Sequence, residues 1–123
     1  MNYNERQLNI EDAVLKVLKL PDGTNIVGLC FFFDKEDYMI IAQPLVIHYV
    51  IDFEKENTTL NLYPWLPIEI ASENAVELKL KDIVTSFYTT NEFTNEYFKF
   101  LERLENIISN ESEEVNSYTG IRH

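Results

Sequence analysis

Leu20-Pro21-Asp22-Gly23-Thr24-Asn25-Ile26-Val27-Gly28-Leu29-Cys30-Phe31-Phe32-Phe33-Asp34 is the stretch that decides the fold. Pro21 presets φ and Gly23 accepts a positive one, so Pro21-Asp22-Gly23 reads as a tight turn between two strands. The residues after it are branched and aromatic, the composition of a strand. Before the turn, residues 13–20, Ala-Val-Leu-Lys-Val-Leu-Lys-Leu, form a first strand candidate. The second strand spans residues 25–33 and ends in a short charged turn, Asp34-Lys35-Glu36-Asp37.

Further strands follow. Residues 38–42 start a third, which Gln43-Pro44 interrupts; proline cannot donate to a ladder, so a bend, bulge or edge belongs there. The apolar run resumes over residues 45–51, a polar loop covers 52–57, and Thr58–Tyr63 alternates as a fourth strand. Pro64-Trp65-Leu66-Pro67 breaks the pattern. In residues 75–84, Val76, Leu78 and Leu80 point one way and Glu77, Lys79 and Lys81 the other. The period then becomes helical: Phe93, Tyr97, Phe100 or Leu101, Leu104 and Ile108 recur on one face, and Thr89 with Glu92 reads as a capping box. That stripe is too large to leave in water. The expected division is a polar N-terminal segment (1–12), a β domain (13–90), a helix (91–110) and an acidic, flexible tail (111–123).

The 123 residues fit one domain, and 46% apolar residues with 13% aromatics are enough for a core. With 10 basic against 21 acidic residues and a net charge of −11, long-range attraction to nucleic acid is excluded. Any such binding needs a local basic or aromatic site. The one cysteine, Cys30, cannot form an internal disulfide and reads as a small core residue, which fits a reducing cytoplasm. The polar N-terminus carries no apolar leader, and no apolar run reaches membrane-spanning length. His48 has no partners for a metal site. No Ser-His-Asp set, phosphate-binding glycine loop or paired acids are present, so no catalytic role, cofactor or metal is expected.

Residues 20–47 resemble the first motif of the Sm and Sm-like proteins, a glycine at the first turn, a second glycine and then an aspartate, here Gly23, Gly28 and Asp34. Ile26, Leu29, Ile40 and Ile41 fit the same frame. Gly23 closes the hairpin, Gly28 lets a bent strand pass close to its neighbour, and Asp34 caps the next turn. The chain is also similar to the short Sm-like proteins of tailed phages of marine bacteria, through residues 17–20, Gln43-Pro44-Leu45-Val46-Ile47, the Pro64–Pro67 segment and the C-terminal helix.

The resemblance implies an all-β fold with helical additions: a small, strongly bent, five-stranded antiparallel Sm-like barrel with a C-terminal helix. It also implies a cyclic homo-oligomer of roughly five to seven subunits, five being favoured, in the cytoplasm of an infected bacterial host and with no membrane partner. The fourth and fifth strands would join subunits through Thr58, Leu60, Leu62, Trp65, Val76, Leu78 and Leu80. RNA would bind at Tyr38, Asp37, Lys35 and Asn74, with Tyr38 stacking on a base. Two departures bear on this. Tyr38 stands where the family places an RNA-contacting Asn, and no second motif is visible between residues 72 and 86. The leading expectation is therefore a ring-forming Sm-like protein that handles RNA. The alternative is an oligomeric interaction or assembly module that binds no nucleic acid.

Overall fold

A computed structural model describes the backbone of residues 12–67 and 70–117, with side chains as far as Ser109. The N-terminal polar segment up to residue 11 and the last six residues lie outside the described residues. The chain divides into a sheet unit that ends at Thr89 and a helix unit that begins at Thr90.

Among the described residues the sheet unit is antiparallel and has six strands rather than the expected five: β1 (Val14–Lys19), β2 (Asn25–Phe33), β3 (Tyr38–Asp52), β4 (Asn57–Pro64), β5 (Ala75–Lys79) and β6 (Thr85–Tyr88). Its order is β4-β3-β2-β1-β6, with β5 also paired to β3. Among the described residues the sheet is not closed. The extra strand is β6, which lies beyond residues 75–84, and the expected strand there stops at Lys79 although its alternation runs straight through Leu80. A 3-10 turn at Leu80–Asp82 breaks the ladder there, and β6 crosses to pair with β1.

The first turn forms as its residues dictate. Gly23 takes φ +89°, its N–H donates to the Leu20 carbonyl at 2.9 Å, and Asp22 Oδ1 accepts from the Thr24 N–H at 2.9 Å. That hydrogen bond holds the exposed Asp22 carboxyl below its ordinary pKa. At the second turn the expected cap is absent. The Asp34 carbonyl, not its carboxylate, accepts from Asp37 N–H, and Asp37 adopts a left-handed conformation with φ +59°.

Gln43-Pro44 does not end the third strand but forms a bulge within it. Val27 pairs with Leu45 and Leu29 with Ala42, so Gln43 and Pro44 together face Gly28. Gln43 has φ +53°. A Cβ on Gly28 would lie 2.6 Å from Ile41 Cγ1 and 2.8 Å from the Ala42 carbonyl oxygen, so only glycine fits. At this point β3 changes neighbour on its other flank. Residues 38–42 pair with β5 and residues 45–52 with β4. The junction is tied by Gln43 N–H to the Asn74 carbonyl at 2.8 Å and by Trp65 N–H to the Pro44 carbonyl at 3.0 Å.

Both faces of the sheet are apolar. On one face Leu18, Ile26 and Val46 line up across β1, β2 and β3 and cluster with Cys30, Met39 and Ile41. Trp65, Val76, Leu78, Leu80 and Ile83 pack against that cluster. On the other face Val17, Val27 and Leu45 form a second buried row, and Phe31, Tyr38 and Ile40 form a separate cluster. Lys16 lies over the rings of Tyr88 at 4.6 Å and Phe32 at 5.4 Å, which links β6, β1 and β2.

The helix unit is one helix, α1 (Asn91–Ser117), which continues through most of the expected flexible tail. Its cap is Thr90 rather than Thr89, since Thr90 Oγ1 accepts from the Phe93 N–H at 3.1 Å. The apolar stripe is partly or fully buried from Phe93 through Tyr97, Phe100, Leu101 and Leu104, and exposed at Ile108. No helix among the described residues is long and apolar enough to cross a membrane.

Candidate functional site

The turn between β2 and β3 and the end of β5 meet in an open cleft of about 440 Å³. Glu36, Asp37 and Tyr38 line one side, and Glu77, Lys79, Leu80 and Lys81 the other. Antiparallel pairing of Tyr38 with Lys79 brings them together, and the Leu80 N–H donates to the Asp37 carbonyl at 3.1 Å. Three carboxylates and two ammonium groups line the cleft, so it attracts a polyanion only through Lys79 and Lys81.

The expected RNA-contacting residues are only partly gathered here. Asp37 and Tyr38 line the cleft and Lys35 is exposed on its turn. Asn74 sits at the opposite end of β5, which runs antiparallel to β3 from Ala75 opposite Ala42 to Lys79 opposite Tyr38. At about 3.3 Å per residue, the length of that strand separates Asn74 from Tyr38. The loop that faces the β2–β3 turn is therefore the one at Leu80–Asp82, not residues 72–74.

Tyr38 is only 8% exposed and stacks on Phe33, with centroids 4.9 Å apart and planes at 17°. Its face is already occupied by a neighbouring ring. Sequence reasoning missed Phe33, Lys79 and Lys81 as members of this site. The alternation of residues 75–84 placed both lysines on one face, but only the register with β3 puts them beside the turn.

The residues expected at a subunit contact divide into two groups. Val76, Leu78, Leu80 and Trp65 turn toward the core of their own sheet. On β4, Thr58 and Leu60 are exposed and Leu62 is half-buried. Thr58–Tyr63 and Val76–Leu80 were expected to join one copy to the next, yet both lie on the same flank of β3, one after the other. Together they make one border of the sheet. The other border is β6, where Phe87 and Tyr88 are 50% and 71% exposed, and Val84 beside it is 62% exposed.

Cys30 is buried, and desolvation pushes its thiol up to about 12. Among the described residues no group of three or more His, Cys, Asp or Glu side chains could hold a metal ion. No family model and no curated protein matches this chain.

Proposed function

We propose that this chain is a ring-forming, Sm-like assembly protein, in which β6 of one copy adds to the β4–β5 border of the next. The observation that carries this reading is the pair of unlike open borders. Among the described residues neither the outer edge of β4 nor that of β6 has a strand beside it. Each is flanked by large exposed apolar side chains, Leu60 and Tyr63 on β4 and Phe87 and Tyr88 on β6. An unpaired edge invites another strand. Because the two borders are different surfaces, the contact is head-to-tail, and a head-to-tail contact closes into a ring when its rotation allows. The resemblance of residues 20–47 to the first Sm motif supports the same reading.

Light scattering on the full chain at micromolar concentration tests it. The expected particle contains about five or more copies. A single-chain mass sinks the proposal. Ser86→Pro, which removes a backbone donor from β6, should reduce the particle mass.

RNA handling is the second reading, and Lys79 and Lys81 beside the β2–β3 turn favour it. Fluorescence titration with short uridine, adenine and mixed RNA at two salt concentrations tests this reading. Lys81→Glu is the informative variant, because Lys81 is exposed and its loss leaves the core intact. Tyr38→Ala would confound the result by removing a buried ring.

A further inference from the structure

The last pair between β2 and β3 is Asn25 with Ile47. Beyond it, β3 and β4 continue as a two-stranded arm in which Tyr49 faces Leu60, Ile51 faces Thr58 and Asp52 faces Asn57. A two-stranded ribbon is marginal by itself and normally packs one face on something else. Ile47, Tyr49, Ile51, Leu60 and Leu62 share one face by alternation. Tyr49 is 57%, Ile51 49% and Leu60 43% exposed. The opposite face carries His48, Asn61, Val50 and Thr59.

We infer that the apolar face of this arm packs against the same face of a second copy of this chain, related by a two-fold axis, so that two assemblies join arm to arm. Charge selects that occupant. A quarter of the residues are charged, yet residues 38–51 and 57–67 contain no Asp, Glu, Lys or Arg. Two bodies of net charge −11 repel each other wherever acidic surface meets acidic surface. The arm is the face on which they can meet without that penalty. A charged partner would find no complementary group on it.

The acidic tip, Asp52, Glu54 and Glu56 with Lys55, fits the same geometry. Antiparallel packing sets the tip of one arm over the uncharged base of the other. The two tips are then separated by about five residues of strand, roughly 17 Å, well beyond the screening length of about 8 Å at physiological ionic strength. A two-fold contact also requires one self-complementary patch, and a single uncharged stripe supplies it.

The full chain tests this by native mass measurement with charge variants. Tyr49→Lys and Tyr49→Glu should each halve the particle mass while circular dichroism stays unchanged, and mixing the two should restore the parental mass. Val50→Lys, on the opposite face, should leave the mass unaltered. Restoration on mixing separates a broken contact from damaged folding. An unchanged mass in both Tyr49 variants, no recovery on mixing, or an equal loss in Val50→Lys overturns the inference and leaves the face to a different protein. The ring proposal is read independently, because its failure by Ser86→Pro would leave arm-paired dimers intact.

Discussion

Gly28 and Gly23 are both glycines for a reason, but the reasons differ and so do the substitutions that expose them. At Gly28 the obstacle is contact. A Cβ would sit 2.8 Å from the Ala42 carbonyl oxygen, a backbone atom that cannot swing aside, as well as 2.6 Å from Ile41 Cγ1. Gly28→Ala should cost about 1–3 kcal/mol by overpacking. At Gly23 nothing lies within 4 Å of the position, and the obstacle is φ +89° alone. Gly23→Ala should cost about 1–2 kcal/mol, whereas Gly23→Asn, which tolerates left-handed backbone, should stay within about 0.5 kcal/mol of the parent. Urea midpoints of the three variants measure these effects, and an Asn that costs as much as Ala would refute the conformational account. Cys30 gives a third test at this scale. Its thiol is pushed up from 9.0 to about 12 by desolvation, so the folded state holds the proton more tightly than the unfolded one. The stability this contributes is complete below pH 9 and is lost as pH rises from 9 toward 12. Cys30→Ser tests this by flattening the fall in melting temperature over that window. A native thiol that reacts with a disulfide reagent at pH 8 as fast as the unfolded chain would contradict the burial. Gly23 and Cys30 were legible because turn chemistry and a lone cysteine in an apolar run are local signals, whereas Gly28, whose obstacle is the distant Ile41 and Ala42, was read only through the resemblance to the Sm motif.

Elements were less legible wherever a local pattern had to be cut by a distant contact. The alternation of residues 75–84 predicts one strand, yet Leu80–Asp82 forms a 3-10 turn, because the β3 segment that β5 pairs with begins at Tyr38 opposite Lys79. Past that residue the chain has no β3 partner and turns toward β1. Gln43-Pro44 gave the converse result. The proline announced an irregularity but not its form, and pairing of β2 on one flank and β5 then β4 on the other keeps residues 38–52 one strand. The cleft was hidden for the same reason, since Lys79 and Lys81 reach the β2–β3 turn only through that register. The helix begins at the expected residue 91, but its cap is one residue from the expected Thr89, where two adjacent threonines compete. Thr90 carries the cap, and Thr90→Ala should cost about 1 kcal/mol and lower helicity, measured by circular dichroism. Thr89→Ala should leave helicity unchanged, and a larger loss of helicity from Thr89→Ala than from Thr90→Ala would reverse the assignment.

At the scale of the whole molecule, net charge separates the two functional readings, because they respond to salt with opposite signs. Each chain carries −11, so every copy added to a ring brings more negative charge against what is already there. In the proposed ring the attraction would be backbone pairing and apolar contact at β4 and β6, where Leu60, Tyr63, Phe87 and Tyr88 are exposed, and salt would not weaken it. The repulsion is long-range, and salt shortens its reach from about 30 Å at 0.01 M to about 3 Å at 1 M. Assembly should therefore tighten as ionic strength rises, with the dissociation constant falling at least several-fold between those limits. Phosphate binding at Lys79 and Lys81, on the second reading, would run the other way. Counterion release makes its affinity fall with salt in proportion to the phosphates neutralised, and two lysines can neutralise about two. Sedimentation equilibrium across a salt series reads the first effect, and RNA titration across the same series reads the second. Assembly that loosens with salt would mean that ion pairs, not strand edges and apolar side chains, hold the copies together. The β6-to-β4 contact would then be wrong even if a ring forms.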